Sequence, residues 1–336
     1  MKRLLATLAA AVVGLWAGTA TAQNYAWKPD RPVTVIVPWA AGGSTDQMAR
    51  IVAAELEKAL GAKFIVVNQP GASGSVGTKN ALEAAKDGYT WAAGAAVDVG
   101  TYRVLGLLDT GLDDWNMYFA VANVNVVAVN PNSGIKDFGQ FLETLKKDGA
   151  NFPVATAGLS SAGHNYMESI KAVTPIEYKH VTYNGGAPAV LATVAGETKA
   201  VAQLLVEMSE HIKGKRLIPL AAQTEKPVML EGYGEIPAAT KWLPKMPAPL
   251  NYFGVWMPKG VPDAVVQTVN QVWKDKIANS DAIKHYAQQR AAIFAPLAGK
   301  EARDEAYKMV RYTAWLYQDA GKAKVSPDTL GIERLK

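Results

Sequence analysis

Two successive sets of alternating strand and helix patterns predict an α/β protein of two lobes, built on open, mixed but mostly parallel sheets flanked by helices. Three observations carry this expectation. Each set has short β-branched or apolar runs of strand length, followed by segments with helical apolar spacing. Each set also places a glycine-rich turn between a strand and a helix. At 336 residues the chain is longer than one core usually supports.

The first set opens with Val33-Thr34-Val35-Ile36-Val37, which reads as a buried strand stopped by Pro38. After Ala40-Ala41-Gly42-Gly43, the residues Met48, Ile51, Val52, Leu56 and Leu60 fall on one helical face. Ser44 or Thr45 is expected to cap this helix, and Gly61 to end it. Phe64-Ile65-Val66-Val67 is the next strand, Thr78 to Ala85 a helix, and Thr90-Trp91-Ala92-Ala93 a further strand. In the second set, Phe138, Phe141, Leu142 and Leu145 mark a helix before the strand near Phe152 to Thr156. The loop Gly158 to Gly163 leads into a helix from about His164 to Ala172. Then come a strand from Ile176 to Thr182, a helix from Ala187 to Ala195 and a strand from Lys199 to Leu205.

From Asp263 to Arg290 and from Lys300 to Gln318 the pattern is helical, with little strand signal. These helices lack strands of their own and are expected to pack back on the first lobe. The chain must then cross between lobes twice, near Ala122 to Asn125 and near Tyr252 to Val255. The expected division is residues 23–124 plus 251–336 for the first lobe and 125–250 for the second.

The first residues predict export. Lys2 and Arg3 precede a Leu-, Ala- and Val-rich run from Leu4 to Trp16, too short to span a bilayer. Ala20-Thr21-Ala22 fits the small-x-small rule, so cleavage after Ala22 and a periplasmic location are expected. No Cys is present, which removes disulfide and thiol chemistry. The formal charge of +5 is mild, and Lys and Arg form no run, so nucleic acid is not expected as a partner.

The chemistry centres on helix starts. A helix N-terminus presents unpaired N–H groups and about half a positive charge, which makes an anion site at the carboxyl edge of a sheet. In Ala41-Gly42-Gly43-Ser44-Thr45-Asp46 the small residues let a ligand reach the backbone, and Ser44 and Thr45 add hydroxyls. The same segment reads equally as a plain turn with a capped helix. Gly158-Leu159-Ser160-Ser161-Ala162-Gly163 has the same make-up, so one loop per lobe could pinch a carboxylate. His164 reads as a cap, an exposed residue or a ligand contact. Tyr183 and Asn184 could select the far end of a ligand, and Trp39 could wall the cleft.

Other chemistries find little support. Gly71 to Gly77 has G-x-x-G-x-x-G spacing rather than the dinucleotide fingerprint, and reads as a close-packed turn bordering the cleft. The sequence has no Walker-type loop and no G-x-S-x-G elbow. The four His residues show no metal-ligand spacing, so neither a metal nor a cofactor is expected. A cleft enzyme, hydrolase or dehydrogenase, and a ligand-sensing adaptor stand as the alternatives to a solute receptor.

The residues Arg31 to Asp46, Val67 to Gly74, Val76-Gly77-Thr78 and Asp87-Gly88-Tyr89-Thr90 together, in order and spacing, permit a comparison. The chain resembles the Bug family, the extracytoplasmic solute receptors of tripartite tricarboxylate transporters. The resemblance implies a two-lobed Venus-flytrap fold of the type II periplasmic binding class. It implies a monomeric, non-enzymatic receptor whose partners are a small carboxylate and a membrane permease. It also implies that the carboxylate is held by Ala41 to Asp46 and by Gly158 to His164. Two positions near the expected cleft depart from the family pattern: Asn184 stands where a Lys is frequent, and Gln203 where an Asp is frequent. The loss of one negative charge at Gln203 leads us to expect a ligand with an extra carboxylate.

Overall fold

The computed structural model describes residues 25–334. The expected leader and its cleavage point lie outside these residues. The first sheet begins with β1 (Val33–Val37), β2 (Phe64–Asn68), β3 (Thr90–Ala95) and β4 (Trp115–Asn123). Between them run α1 (Ser44–Leu60), α2 (Ser75–Glu83) and α3 (Ala96–Leu105). The second sheet holds β5 (Asn125–Val129), β6 (Pro153–Thr156), β7 (Lys179–Thr182), β8 (Ala200–Leu204) and β9 (Ile218–Ala222). Its helices are α4 (Phe138–Asp148), α5 (Ala162–Val173), α6 (Gly186–Ala195) and α7 (Leu205–Lys213). A hairpin of β10 (Val228–Leu230) and β11 (Gly234–Ile236) follows. The chain then returns through β12 (Asn251–Pro258), α8 (Asp263–Asp275), α9 (Asp281–Arg290), β13 (Ile293–Phe294) and α10 (Gly299–Asp319).

The result is the two-lobed α/β architecture expected. Strand order is β13-β4-β12-β3-β1-β2 in the first lobe and β7-β6-β8-β5-β9 in the second. The sheets are mixed as expected, with parallel and antiparallel pairs in each. β1 pairs in parallel with β2 and β3, and β6 with β7 and β8, because a helix crosses over between those strands. β5 and β12, which carry the chain between sheets without a crossover helix, pair antiparallel with all their neighbours. The passage out runs from β4 to β5 through Val124. There Asn123 is the register partner of Asn251, at the start of the returning strand.

Alternation along the central strands sends side chains to both faces of each sheet. Val33, Val35 and Val37 of β1 join one apolar cluster and Ile36 the opposite one. Val127 and Val129 of β5 face one cluster, Val126 and Ala128 the other. Full burial of a side chain of this size contributes about 1.5–3 kcal/mol, so these strands fix the register of each sheet. The last helix packs on the first lobe as expected, against α3 and β4, but it also touches α5 of the second lobe.

Candidate ligand-binding site

Because β1 and β3 run parallel, as do β6, β7 and β8, each set sends its carboxyl ends to one sheet edge. The two edges meet across a small cavity of about 30 Å³. Its walls come from the segment after β1 (Trp39, Gly43, Ser44, Thr45), the end of β3 and first turn of α3 (Ala95, Asp98) and the segment after β6 (Ala157, Ser161, Ala162). The start of α6 (Gly186), the end of β8 and first turn of α7 (Gln203, Leu204, Glu207) and Phe253 of β12 complete it.

The start of α1 is built differently from the sequence expectation. Gly43 is the N-cap, with extended backbone and no side-chain cap, so Ser44 and Thr45 sit inside the first turn. Asp46 steadies the segment from behind: its carboxylate accepts the Gly42 N–H at 2.9 Å and the Asn68 amide at 3.0 Å, and pairs with Arg50. Burial works to raise the Asp46 carboxyl, but Arg50, the Gly42 amide and Asn68 together hold it below the ordinary carboxylate value.

Glu207 is the dominant group in the cavity. The Ser44 N–H donates to its Oε1 at 2.8 Å, across the lobes, and the Gln203 Nε2 donates to its Oε2 at 3.1 Å. The Leu204 amide also serves it, because Glu207 is the third residue of α7 and reaches back to the N-cap. Gly186 leaves it room: a Cβ there would lie 2.1 Å from both carboxylate oxygens. The N-termini of α1, α6 and α7 therefore converge on one carboxylate, supplied by the chain itself. Burial raises the Glu207 carboxyl, and the Ser44, Leu204 and Gln203 donors oppose that rise in part. Gln203 joins two helix starts, since its Oε1 accepts the Gly163 N–H at 3.2 Å. Four residues after Gln203, Glu207 places a carboxyl in the same cavity wall.

Asp98 is the second acid in the wall. Its side chain is buried, Oδ1 has no hydrogen-bond partner among the described residues, and the Trp39 side chain hydrogen-bonds the carboxyl. Burial pushes this carboxyl well above the ordinary range, opposed by Trp39.

Of the residues expected at the site, Trp39, Gly43, Ser44, Thr45, Ser161, Ala162 and Gln203 line the cavity, and Ala41, Gly42 and Asp46 do not. Gly158, Leu159 and Ser160 bind the other lobe rather than open space. Leu159 N–H donates to Ser73 Oγ at 3.0 Å and Ser160 Oγ to the Ser73 carbonyl at 3.0 Å. A Cβ on Gly158 would lie 2.8 Å from Ser73 Oγ, so the approach requires glycine. The turn Gly71 to Gly77 meets the second-lobe loop through Ser73 and does not line the cavity, and Ala72 and Ser73 in it have left-handed backbones. Gly163 is packed against the Ala202 carbonyl. Tyr183 is half-buried and Asn184 exposed; the Asn184 carbonyl accepts the Ala40 N–H at 2.9 Å.

His164 is neither a cap nor exposed. It stacks on His180 with ring centroids 4.2 Å apart, its Nδ1 pairs with the Tyr178 hydroxyl at 2.8 Å, and its Nε2 lies 3.1 Å from Lys322 Nζ. Lys322, beyond α10, also pairs with buried Glu168 of α5 at 2.7 Å. This cluster ties the lobes together outside the cavity. Burial, followed by the charges of His180 and Lys322, lowers the His164 imidazole well below its usual value; burial and Lys322 bring His180 to about 4.

Asp98, Gly186, Glu207 and Phe253 were not among the residues expected from sequence. The signal available for the two acids was position: each stands in the first turn of a helix that follows a strand directly, after Ala95-Ala96-Val97 and after Leu204-Leu205-Val206.

Among the described residues no group of His, Cys, Asp and Glu could hold a metal ion, and no helix is long and apolar enough to cross a membrane.

With this geometry in hand, the chain can be set beside known proteins. Protein BugT of Bordetella pertussis is 29% identical over 310 residues, covering 87% of this chain and 89% of that protein. A solved periplasmic transporter superposes with a TM-score of 0.79 at 26% identity, covering 87% of this chain and 98% of the other. MatC from Rhodopseudomonas palustris, solved with bound malate, superposes with a TM-score of 0.78 at 22% identity, covering 87% and 99%. The family model described as tripartite tricarboxylate transporter family receptor matches residues 48–305. The chain belongs to that family of receptors.

Proposed function

We propose that this protein is a periplasmic solute receptor, without catalytic activity, that captures a small carboxylate between its lobes and delivers it to a permease of the tripartite tricarboxylate type. One observation carries the reading: a carboxylate, that of Glu207, is already held at the start of α1 by the Ser44 N–H. Helix N-termini with small flanking residues stabilise such a charge through aligned N–H dipoles. The family match and the malate in the MatC structure support a carboxylate as the ligand.

In this reading residues 23–124 plus 251–336 form one lobe and 125–250 the other, and the leader is removed after Ala22. The ligand contacts are drawn from Trp39, Gly43, Ser44, Thr45, Ser161, Ala162 and Gln203, joined by Asp98, Gly186, Glu207 and Phe253. Hinge motion runs through the β4–β5 passage and the return into β12, and a ligand touching both lobes favours closure. The protein acts as a monomer.

The test is a thermal-shift screen of the mature chain against mono-, di- and tricarboxylates, followed by calorimetry. A ligand that binds only the folded state raises the melting temperature. A rise with at least one carboxylate is expected; no response to any would overturn the assignment.

A further inference from the structure

The cavity is unusual in its charge balance. Among the described residues two carboxyl groups, Asp98 and Glu207, line it, and no Lys, Arg or His does so. The two acids differ in how well they are satisfied. Glu207 has donors on both oxygens, from the Ser44 backbone and the Gln203 amide. Asp98 is 5% exposed, and its Oδ1 has no partner among the described residues. A buried acceptor without a donor is costly. A plain dicarboxylate entering here would bring further negative charge into a wall that already holds two acids. A group bringing hydrogen-bond donors and positive charge would satisfy Asp98 and balance the site.

We infer that the solute carries a cationic nitrogen beside its carboxylate, and that its ammonium docks on Asp98. The cavity is then selective for small amino-carboxylates over the corresponding plain acids. This rests on the carboxylate-receptor reading and narrows it. The positioning is consistent with the fold: Asp98 stands at the start of α3 in the first lobe, and the amides that head α1 and α5 border the same space. The remaining wall, Trp39, Ala95, Ala157, Leu204 and Phe253, is largely apolar, which leaves Asp98 as the free polar acceptor of the cavity. Asp98 is here a specificity residue, whereas Glu207, already saturated by protein donors, sets the charge of the wall.

The test uses matched pairs on the purified mature chain, by thermal shift and calorimetry: propionate against alanine and β-alanine, butyrate against 4-aminobutyrate. The amino member of at least one pair should bind about tenfold or more tightly, the usual effect of one charge-assisted hydrogen bond. In Asp98→Asn that preference should collapse, while the fold, checked by circular dichroism, is retained. The wild-type comparison stands without the variant if Asp98→Asn does not fold. A plain acid that binds as tightly as its amino partner in every pair overturns the inference and leaves the receptor reading intact. Binding of simple amines such as ethylamine, with no acid or amino acid binding, overturns the carboxylate reading and keeps the ammonium site. No binding in any arm overturns both.

Discussion

Ser44 and Glu207 meet across the interlobe cavity, with the Ser44 N–H donating to Glu207 Oε1 at 2.8 Å. One residue heads the first helix of one lobe and the other lies in the first turn of a helix in the second. The bond makes the charge of a helix start in one lobe depend on an acid of the other. It therefore ties the two sides of the cavity together.

Glu207→Ala should lower stability by about 1–3 kcal/mol, because the Ser44 and Leu204 amides and the Gln203 amide lose a buried acceptor. Glu207→Gln should lie between it and wild type, since its own NH₂ would face that of Gln203. Urea unfolding monitored by circular dichroism checks this. A Glu207→Ala protein as stable as wild type would remove the bond from the account.

Gln203→Asp tests the bridge between helix starts. The substitution removes the donor to Glu207 and sets a second carboxylate beside it. Like charges at short range cannot both ionise cheaply, so one of the pair should take up a proton more readily. Ligand affinity is expected to fall about tenfold at neutral pH and to recover partly on acidification. Calorimetry at two pH values reads both effects.

The histidine pair predicts a pH dependence. His180 is lowered from 6.5 to about 4, and His164 lies well below its ordinary value. Between pH 6.5 and 4 the unfolded chain binds protons at these positions that the native state does not. Stability from this source is therefore present above pH 6.5 and is lost as pH falls, by at most about 1.4 kcal/mol per pH unit for each histidine. The raised carboxyls of Asp98 and Glu207 act in the opposite direction, so the comparison must be with a variant. His180→Gln should flatten the dependence of melting temperature on pH in this window relative to wild type.

Lys322→Met should destabilise the protein by about 2 kcal/mol. It leaves buried Glu168 without its cation, and the figure is below that for a fully buried pair because Lys322 is 32% exposed. The pair joins the segment after α10 to α5, so ligand affinity should fall as well. Equilibrium unfolding and calorimetry report the two effects, and an unchanged melting temperature would argue that the pair is inert.

Much of the scaffold was legible in the residues. The β-branched run Val33 to Val37 is a strand over those same residues, and the helix expected after it runs to Leu60 with Gly61 ending it in the left-handed conformation. Local periodicity suffices there, because a buried strand and an amphipathic helix each announce their own geometry. The segment from Asp98 to Tyr118 was not legible as structure. It contains most of α3 and the start of β4, but Ala96 to Leu105 is buried on nearly all sides and shows no clean polar face. His164 was unreadable for a related reason: its partners Tyr178, His180 and Lys322 lie 14 to 158 positions away.

The sequence by itself determined the alternation of strands and helices, the two glycine-rich helix starts and the small residues that open them. These follow from local spacing and backbone freedom, which need no knowledge of neighbours. Only the tertiary structure decided what faces those helix starts. Glu207 lies 163 positions from Ser44, and Asp98 becomes part of the same wall because two sheet edges are brought together by the β4–β5 passage and the return through β12. Charge balance in a cavity is a property of juxtaposition, and no local pattern encodes it.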